Sequence, residues 1–76
     1  METSVENVRS WLQAGMADAK IEVQGDGRHF QATIVSSEFE GKNTLARHRL
    51  VYAALGDKMD EAIHALSLTT LTPSEQ

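Results

Sequence analysis

Residues 20–35 read KIEVQGDGRHFQATIV, and their alternation of apolar and polar side chains decides the fold class. Apolar residues, from Ile21 before the turn and from Phe30 after it, recur at every second position, which is the period of a β-strand. Between the two runs, Gly25-Asp26-Gly27 is typical of a turn. The stretch therefore predicts a β-hairpin with one buried face. His29 lies at the mouth of the turn on the parity opposite to Phe30, so we expect its imidazole to contact solvent.

The residues before the hairpin predict a helix. Thr3 and Glu6 have the spacing of a capping box, in which each side chain satisfies an amide at the helix start. We expect Gly15 to end this helix, where a residue with positive φ is favoured. The predicted buried face is formed by Val5, Val8, Leu12 and Met16, with Trp11 beside them.

The residues after the hairpin predict an irregular segment, a helix, a short helix and a last strand. Asn43 or Thr44 is expected to cap the second helix. The short helix is predicted at 57–63 and the strand at 64–72, and we expect the polar tail after Pro73 to fray. The predicted apolar stripe of the second helix consists of Leu45, His48, Val51, Tyr52 and Leu55.

This order of elements predicts one α+β domain over residues 1–76, with a three-stranded mixed sheet and helices on one face. A strand that follows a helical crossover is expected to run parallel to a strand of the hairpin. If it runs parallel to the second hairpin strand, its start at His64 lies at the same end of the sheet as His29.

The composition excludes several classes of protein. The chain has 76 residues, no cysteine, and a net charge of -4 from 11 acidic and 7 basic residues. No disulfide or thiolate metal site can form within it, and no apolar run approaches the ~20 residues of a membrane span. The acidic start does not resemble a targeting peptide. No phosphate-binding loop or nucleophile elbow is present. We therefore expect a cytoplasmic protein that is not an enzyme and does not bind membranes.

Four segments taken together resemble the BolA family, and most closely its small bacterial acid-stress subgroup, the YrbA/IbaG type. The most specific parts are Phe39-Glu40-Gly41, Arg47-His48-Arg49 and His64-Ala65-Leu66. Phe39, Gly41 and His48 are expected to be structural, with His48 buried and hydrogen-bonded. The four segments are GDGRHF (25–30), IVSSEFEGK (34–42), RHRLVYAAL (47–55) and IHALSLTTLTPSE (63–75).

The resemblance implies an αββαβ fold similar to the type II KH domain. It also implies a monothiol glutaredoxin as partner and a [2Fe–2S] cluster shared with that partner and with glutathione. His64 and His29 would be the ligands from this chain, which alone would be a metal-free monomer or weak homodimer. Two imidazoles can replace two thiolates on one iron of such a cluster, as in Rieske centres. A chain without cysteine depends on its partner for the sulfur ligands.

Two alternatives stay open. One is a nucleic-acid-binding regulator, in which Lys42, Arg47 and Arg49 form a basic patch. Against it, residues 40–43 lack the second glycine of the GxxG loop with which KH domains clamp a nucleic-acid backbone, and the net charge is acidic. The other alternative is an interaction module without metal, which binds a partner through its sheet edge or an apolar surface.

Overall fold

The computed structural model describes residues 3–61 and 65–76. The sheet has the order β1-β2-β3, with β1 antiparallel and β3 parallel to the central β2. The predicted α+β class and the three-stranded mixed sheet are therefore confirmed. The helices and strands are α1 (Val5–Gly15), β1 (Lys20–Gly25), β2 (His29–Val35), α2 (Thr44–Leu55), α3 (Lys58–Glu61) and β3 (Ala65–Leu71), with 3₁₀ turns at Ser37–Phe39 and Pro73–Glu75.

The hairpin has one buried face, as its alternation predicts. Phe30 and Ile34 of β2 are fully buried and pack against the helices, whereas His29 and Gln31 on the opposite parity are exposed. Burying an apolar side chain of this size contributes about 1.5–3 kcal/mol to folding. The helical part of the same core consists of Val8, Leu12 and Met16 from the first helical segment and Val51 and Leu55 from α2.

The start of α1 differs from the prediction, whereas its end at Gly15 is confirmed with a different physical reason for the glycine. The helix begins one residue later than the Thr3 capping box requires, because the N-cap is Ser4, whose Oγ accepts a hydrogen bond from the Asn7 amide at 3.1 Å. At the other end, Gly15 does not have positive φ. A Cβ atom on Gly15 would lie 2.6 Å from Ala54 Cβ, so this glycine allows α1 and α2 to approach closely.

The apolar stripe predicted for α2 is wrong in part. Asn43 is the N-cap, as expected, and its side chain accepts from the Ala46 amide at 2.9 Å. Val51 is buried, but Leu45 is 60% and Tyr52 39% exposed. Leu45 and Tyr52 satisfy the helical period as well as Val51 and Leu55 do. The packing of the helix in the fold buries only the second pair.

Neither His48 nor Arg47 has the environment expected from the sequence. His48 is half-buried rather than buried, whereas the side chain of Arg47 is only 13% exposed. The Arg47 guanidinium donates hydrogen bonds to the carbonyl oxygens of Lys42 at 2.8 Å and Thr70 at 3.1 Å. It also lies 5.9 Å from the centre of the Phe39 ring, which is fully buried.

The C-terminal turn is fixed rather than frayed. Arg47 Nη1 donates to Glu75 Oε1 at 2.8 Å, and the same carboxylate oxygen accepts from the Thr72 amide at 2.8 Å. These two contacts, the one with Arg47 foremost, lower the pKa of Glu75 from 4.5 to about 2. We refer to the contact between the Arg47 guanidinium and the Glu75 carboxylate as the Arg47–Glu75 ion pair. The prediction of a frayed tail is wrong because a local reading of the polar residues cannot detect a partner on a distant helix.

The Phe39-x-Gly41 spacing has a structural reason. Phe39 ends a 3₁₀ turn with its ring in the core, and Gly41 follows with φ +77°. That left-handed conformation favours glycine, because other L-residues meet a steric cost there. Phe39 therefore contributes to the core, and the backbone at position 41 favours glycine.

None of the helices within residues 3–61 and 65–76 is long and apolar enough to cross a membrane.

Candidate functional site

The turn between β1 and β2 is organised by one carboxylate. Asp26 Oδ1 accepts hydrogen bonds from the amides of Arg28 at 3.0 Å and His29 at 2.9 Å, and the Asp26 amide donates to the His29 carbonyl at 3.2 Å. Asp side chains commonly close turns in this way. Gly27, with φ 100°, supplies the left-handed residue that the turn requires. The backbone of His29 is thereby held from both its amide and its carbonyl.

The same carboxylate faces the imidazole. The two backbone amides, of His29 and then Arg28, lower the pKa of Asp26, so its carboxylate is ionised near neutral pH. Its second oxygen, Oδ2, lies 3.8 Å from Nδ1 of His29, which is longer than a hydrogen bond but within ion-pair distance. The His29 side chain is 75% exposed, which confirms the expected contact with solvent. The ionised carboxylate of Asp26 and the solvent-exposed imidazole of His29 therefore lie side by side at the hairpin turn.

The parallel register brings the start of β3 to this turn. His29 is the partner of Ala65 across the β2–β3 pair, and the Ala65 amide donates to the Arg28 carbonyl at 3.1 Å. The condition under which the two ends meet, a last strand parallel to the second hairpin strand, is thus fulfilled. Ala65 follows His64 in the sequence, and His64 itself lies outside the described residues.

A shallow depression of about 320 Å³ opens beside His29 on the exposed side of the hairpin. Its walls combine two amide side chains, one carboxylate and one imidazole, all of them exposed. Such a surface offers hydrogen-bonding groups to a partner and no apolar enclosure for a small molecule. The lining residues are Gln24, Gly25, Asp26, His29 and Gln31.

The side chains at the turn include one group of a kind that binds metal ions. Within the described residues, no group of three or more His, Asp or Glu side chains is arranged to hold a metal ion. His29 offers an accessible imidazole, which is a suitable nitrogen ligand for iron. Asp26 Oδ2 lies on the Nδ1 side of that imidazole, where an outer carboxylate commonly orients such a ligand, but at 3.8 Å the two atoms are not hydrogen-bonded.

The basic patch predicted for nucleic-acid binding is divided by the fold. Arg47 is engaged by Glu75 and by two backbone carbonyls. Lys42 and Arg49 are exposed. Only two of the three predicted cations are therefore available to a ligand.

The predicted site does not include Asp26 or Glu75. The Gly25-Asp26-Gly27 pattern indicates only a turn, although the position of Asp26 three residues before His29 also permits an interaction with the imidazole. The polar residues around Glu75 predict only a tail. The partner of Glu75, Arg47, is separated from it by 28 residues, so no local spacing could have indicated the pair.

The comparisons with known proteins agree with this fold. The profile of the family described as "BolA-like protein" matches residues 2–75. The chain is 45% identical over 75 residues to the chloroplastic protein BOLA1 of Arabidopsis thaliana, covering 99% of this chain and 46% of that protein. It is 42% identical over 76 residues to the chloroplastic/mitochondrial SufE-like protein 1 of the same plant, covering 99% of this chain and 20% of that protein. The chain thus spans less than half the length of these two relatives.

Solved structures show the same likeness. A BolA protein homologue from Coxiella burnetii superimposes with a TM-score of 0.90 at 43% identity, covering 96% of this chain and 95% of that one. Yeast Fra2 superimposes with a TM-score of 0.82 at 30% identity, covering 99% of this chain and 85% of that one. With a family profile that matches nearly every residue and relatives above 40% identity, the chain belongs to the BolA-like protein family.

Proposed function

We propose that this protein is a non-enzymatic adaptor that binds a monothiol glutaredoxin and supplies His29 and His64 as ligands to a shared [2Fe–2S] cluster. The observation that carries the proposal is the parallel register, in which Ala65 at the start of β3 pairs with His29. It brings the start of β3, which His64 precedes in the sequence, to the end of the sheet at which β2 begins with His29. The likeness to SufE-like protein 1 and to Fra2 suggests an iron–sulfur role.

The composition supports a shared rather than a resident cluster. The chain has three histidines and no cysteine, so every sulfur ligand would come from the partner protein and from glutathione. Histidine ligands leave the cluster less negative than thiolates do and raise its reduction potential.

The hairpin turn prepares His29 for this role. The Asp26 carboxylate lies 3.8 Å from Nδ1 of His29, on one side of the ring, so Nε2 on the other side would be the nitrogen that holds iron. The hydrogen bonds that Asp26 Oδ1 accepts from the backbone amides of Arg28 and His29 would hold the turn while the exposed ring meets its partner.

The test is reconstitution in solution. The chain is mixed anaerobically with a monothiol glutaredoxin, iron, sulfide and glutathione, and visible absorption and circular dichroism are recorded. We expect a spectral change on mixing that is lost in His64→Ala and weakened or altered in His29→Ala. His48→Ala is the matched control, because it removes a half-buried imidazole from α2 and leaves the hairpin intact.

The outcomes separate the candidate functions. If both His29→Ala and His64→Ala behave like the wild type, the ligand assignment is wrong. If calorimetry detects glutaredoxin binding without any spectral change, the protein is an interaction module without metal. His29→Cys adds a positive readout, since a thiolate in place of the imidazole should shift the charge-transfer bands of the cluster.

A further inference from the structure

The outer face of α2 exposes two large apolar side chains. Leu45 is 60% and Tyr52 39% exposed, and within residues 3–61 and 65–76 these are the exposed large hydrophobic residues. They are two helical turns apart and therefore on the same side of α2, separated by about 10.5 Å along the axis. Arg49 lies between them, four residues after Leu45 and three before Tyr52, and is also exposed. We define Leu45, Arg49 and Tyr52 as the outer face of α2.

The helix that carries this face is fixed on its other sides. Its start is capped by Asn43, and Val51 and Leu55 are buried in the core. Arg47, on the inner side, is bonded to Thr70 and Glu75. A partner would therefore meet a preformed surface and would pay little for ordering it.

The residue types suit a protein interface. Tyrosine and arginine are enriched among the residues that contribute most to binding energy, and here they lie one helical turn apart beside an exposed leucine. Leu45 and Tyr52, at positions i and i+7, also form the kind of ridge that packs against a second helix. Exposed Leu45 and Tyr52 contribute little to this chain's own core, which leaves their apolar surface available to another molecule.

The positive charge of Arg49 distinguishes among the molecules that could bind this face. Two copies packed through the same face in antiparallel orientation would bring Arg49 of each copy close to the two-fold axis, where like charges repel. A nucleic acid is disfavoured because Arg49 is the one arginine on the face, Arg47 is engaged, and the chain has a net charge of -4. A carboxylate flanked by apolar side chains would satisfy all three residues.

We infer that the outer face of α2 docks an amphipathic helical segment of another protein, in which an acidic side chain lies between two apolar ones. The acidic group would pair with Arg49, and the apolar ones would cover Leu45 and Tyr52. This inference involves no metal and does not depend on His29 or His64, so it can be tested with the isolated 76-residue chain.

The probe is a synthetic helical peptide with leucines two turns apart and a glutamate midway between them. A second peptide carries lysine in place of that glutamate. Each is titrated into the ¹⁵N-labelled chain, and amide shifts and affinity are measured by NMR. We expect the shifts to follow the outer face of α2 and the acidic peptide to bind at least about tenfold more tightly than the basic one.

Charge exchange gives the decisive comparison. Arg49→Glu should reverse the preference between the two peptides, whereas Lys42→Glu, the same charge change on an exposed residue outside this face, should leave it unchanged. Leu45→Ala and Tyr52→Ala should each weaken binding of the acidic peptide. Equal binding of both peptides, shifts that fall elsewhere, self-association through α2, or a response of these residues to duplex DNA but not to peptide would overturn the inference.

Discussion

Arg47 Nη1 donates to Glu75 Oε1 at 2.8 Å, although the two residues are 28 positions apart in the sequence. The pair joins the first turns of α2 to the turn that follows β3. The same guanidinium also binds the Thr70 carbonyl at the end of β3, at 3.1 Å. One side chain thus fixes the position of α2 along the sheet and of the C-terminal turn.

Replacing Arg47 should destabilise the protein much more than replacing its exposed neighbour. Arg47→Met removes charge-assisted hydrogen bonds from a mostly buried site, and we expect the free energy of unfolding to fall by about 2–3 kcal/mol. Arg49→Met is the matched control, with an expected change within about 0.5 kcal/mol. Urea unfolding followed by circular dichroism measures both. Equal losses in the two variants would contradict a structural role for Arg47.

Acid should remove the contribution of Glu75. Because the folded-state pKa of Glu75 is about 2 and its ordinary value is 4.5, the ionised group stabilises the fold fully above pH 4.5. That contribution declines as the pH falls through this window and is gone below about pH 2. We expect wild type and Glu75→Gln to differ in melting temperature at neutral pH and to converge toward pH 2. A constant difference across this range would argue against the ion pair.

Gly15→Ala should destabilise the protein, although alanine is the better helix former. The new Cβ would lie 2.6 Å from Ala54 Cβ and 2.9 Å from the Ala54 carbonyl oxygen, so α1 and α2 would have to separate. Overpacking of this kind costs about 1–3 kcal/mol, and helix propensity offsets about 1 kcal/mol of it, so we expect a net loss of up to about 2 kcal/mol. Ser10→Ala, at an exposed position of α1, serves as the control in denaturant unfolding. An increase in stability for Gly15→Ala would show that the helices can yield at this contact.

Two substitutions of Asp26 should distinguish its role in forming the turn from the role of its charge. Asp26→Asn keeps a side-chain oxygen that can accept from the amides of Arg28 and His29, so we expect native-like NMR shifts for those amides. Asp26→Ala removes the acceptor and should move both resonances and raise their hydrogen-exchange rates. Native-like shifts in the alanine variant would show that Gly27 alone holds the turn.

Local alternation was sufficient to predict the hairpin and the exposure of His29. Every second residue is apolar within each strand, at odd positions in β1 (Ile21) and at even positions in β2 (Phe30 to Ile34). A strand has only two faces, so the buried side follows directly. The hairpin prediction rests on short-range geometry, which the sequence expresses directly. The parallel direction of β3 is expected instead from the order of elements, because the strand follows a helical crossover, and the register with β2 confirms it.

The face of α2 could not be predicted in the same way. Leu45 and Tyr52 have the same helical period as Val51 and Leu55, and hydropathy favours the leucine and the tyrosine over Arg47. Arg47 nevertheless lies on the inner side, because Thr70 and Glu75 supply its hydrogen-bond acceptors there. Which face is buried was therefore decided by partners distant in the sequence.

The pairing of His29 with Ala65 has a consequence for the order of folding. The Asp26 turn closes between near neighbours, so it can form within microseconds and before the rest of the sheet. The β2–β3 pair has to wait until the whole crossover through α2 has collapsed, since non-local parallel pairing is slow. The first histidine-bearing segment would thus be ready early, and the end of the sheet that it shares with β3 would be assembled among the last parts of the molecule.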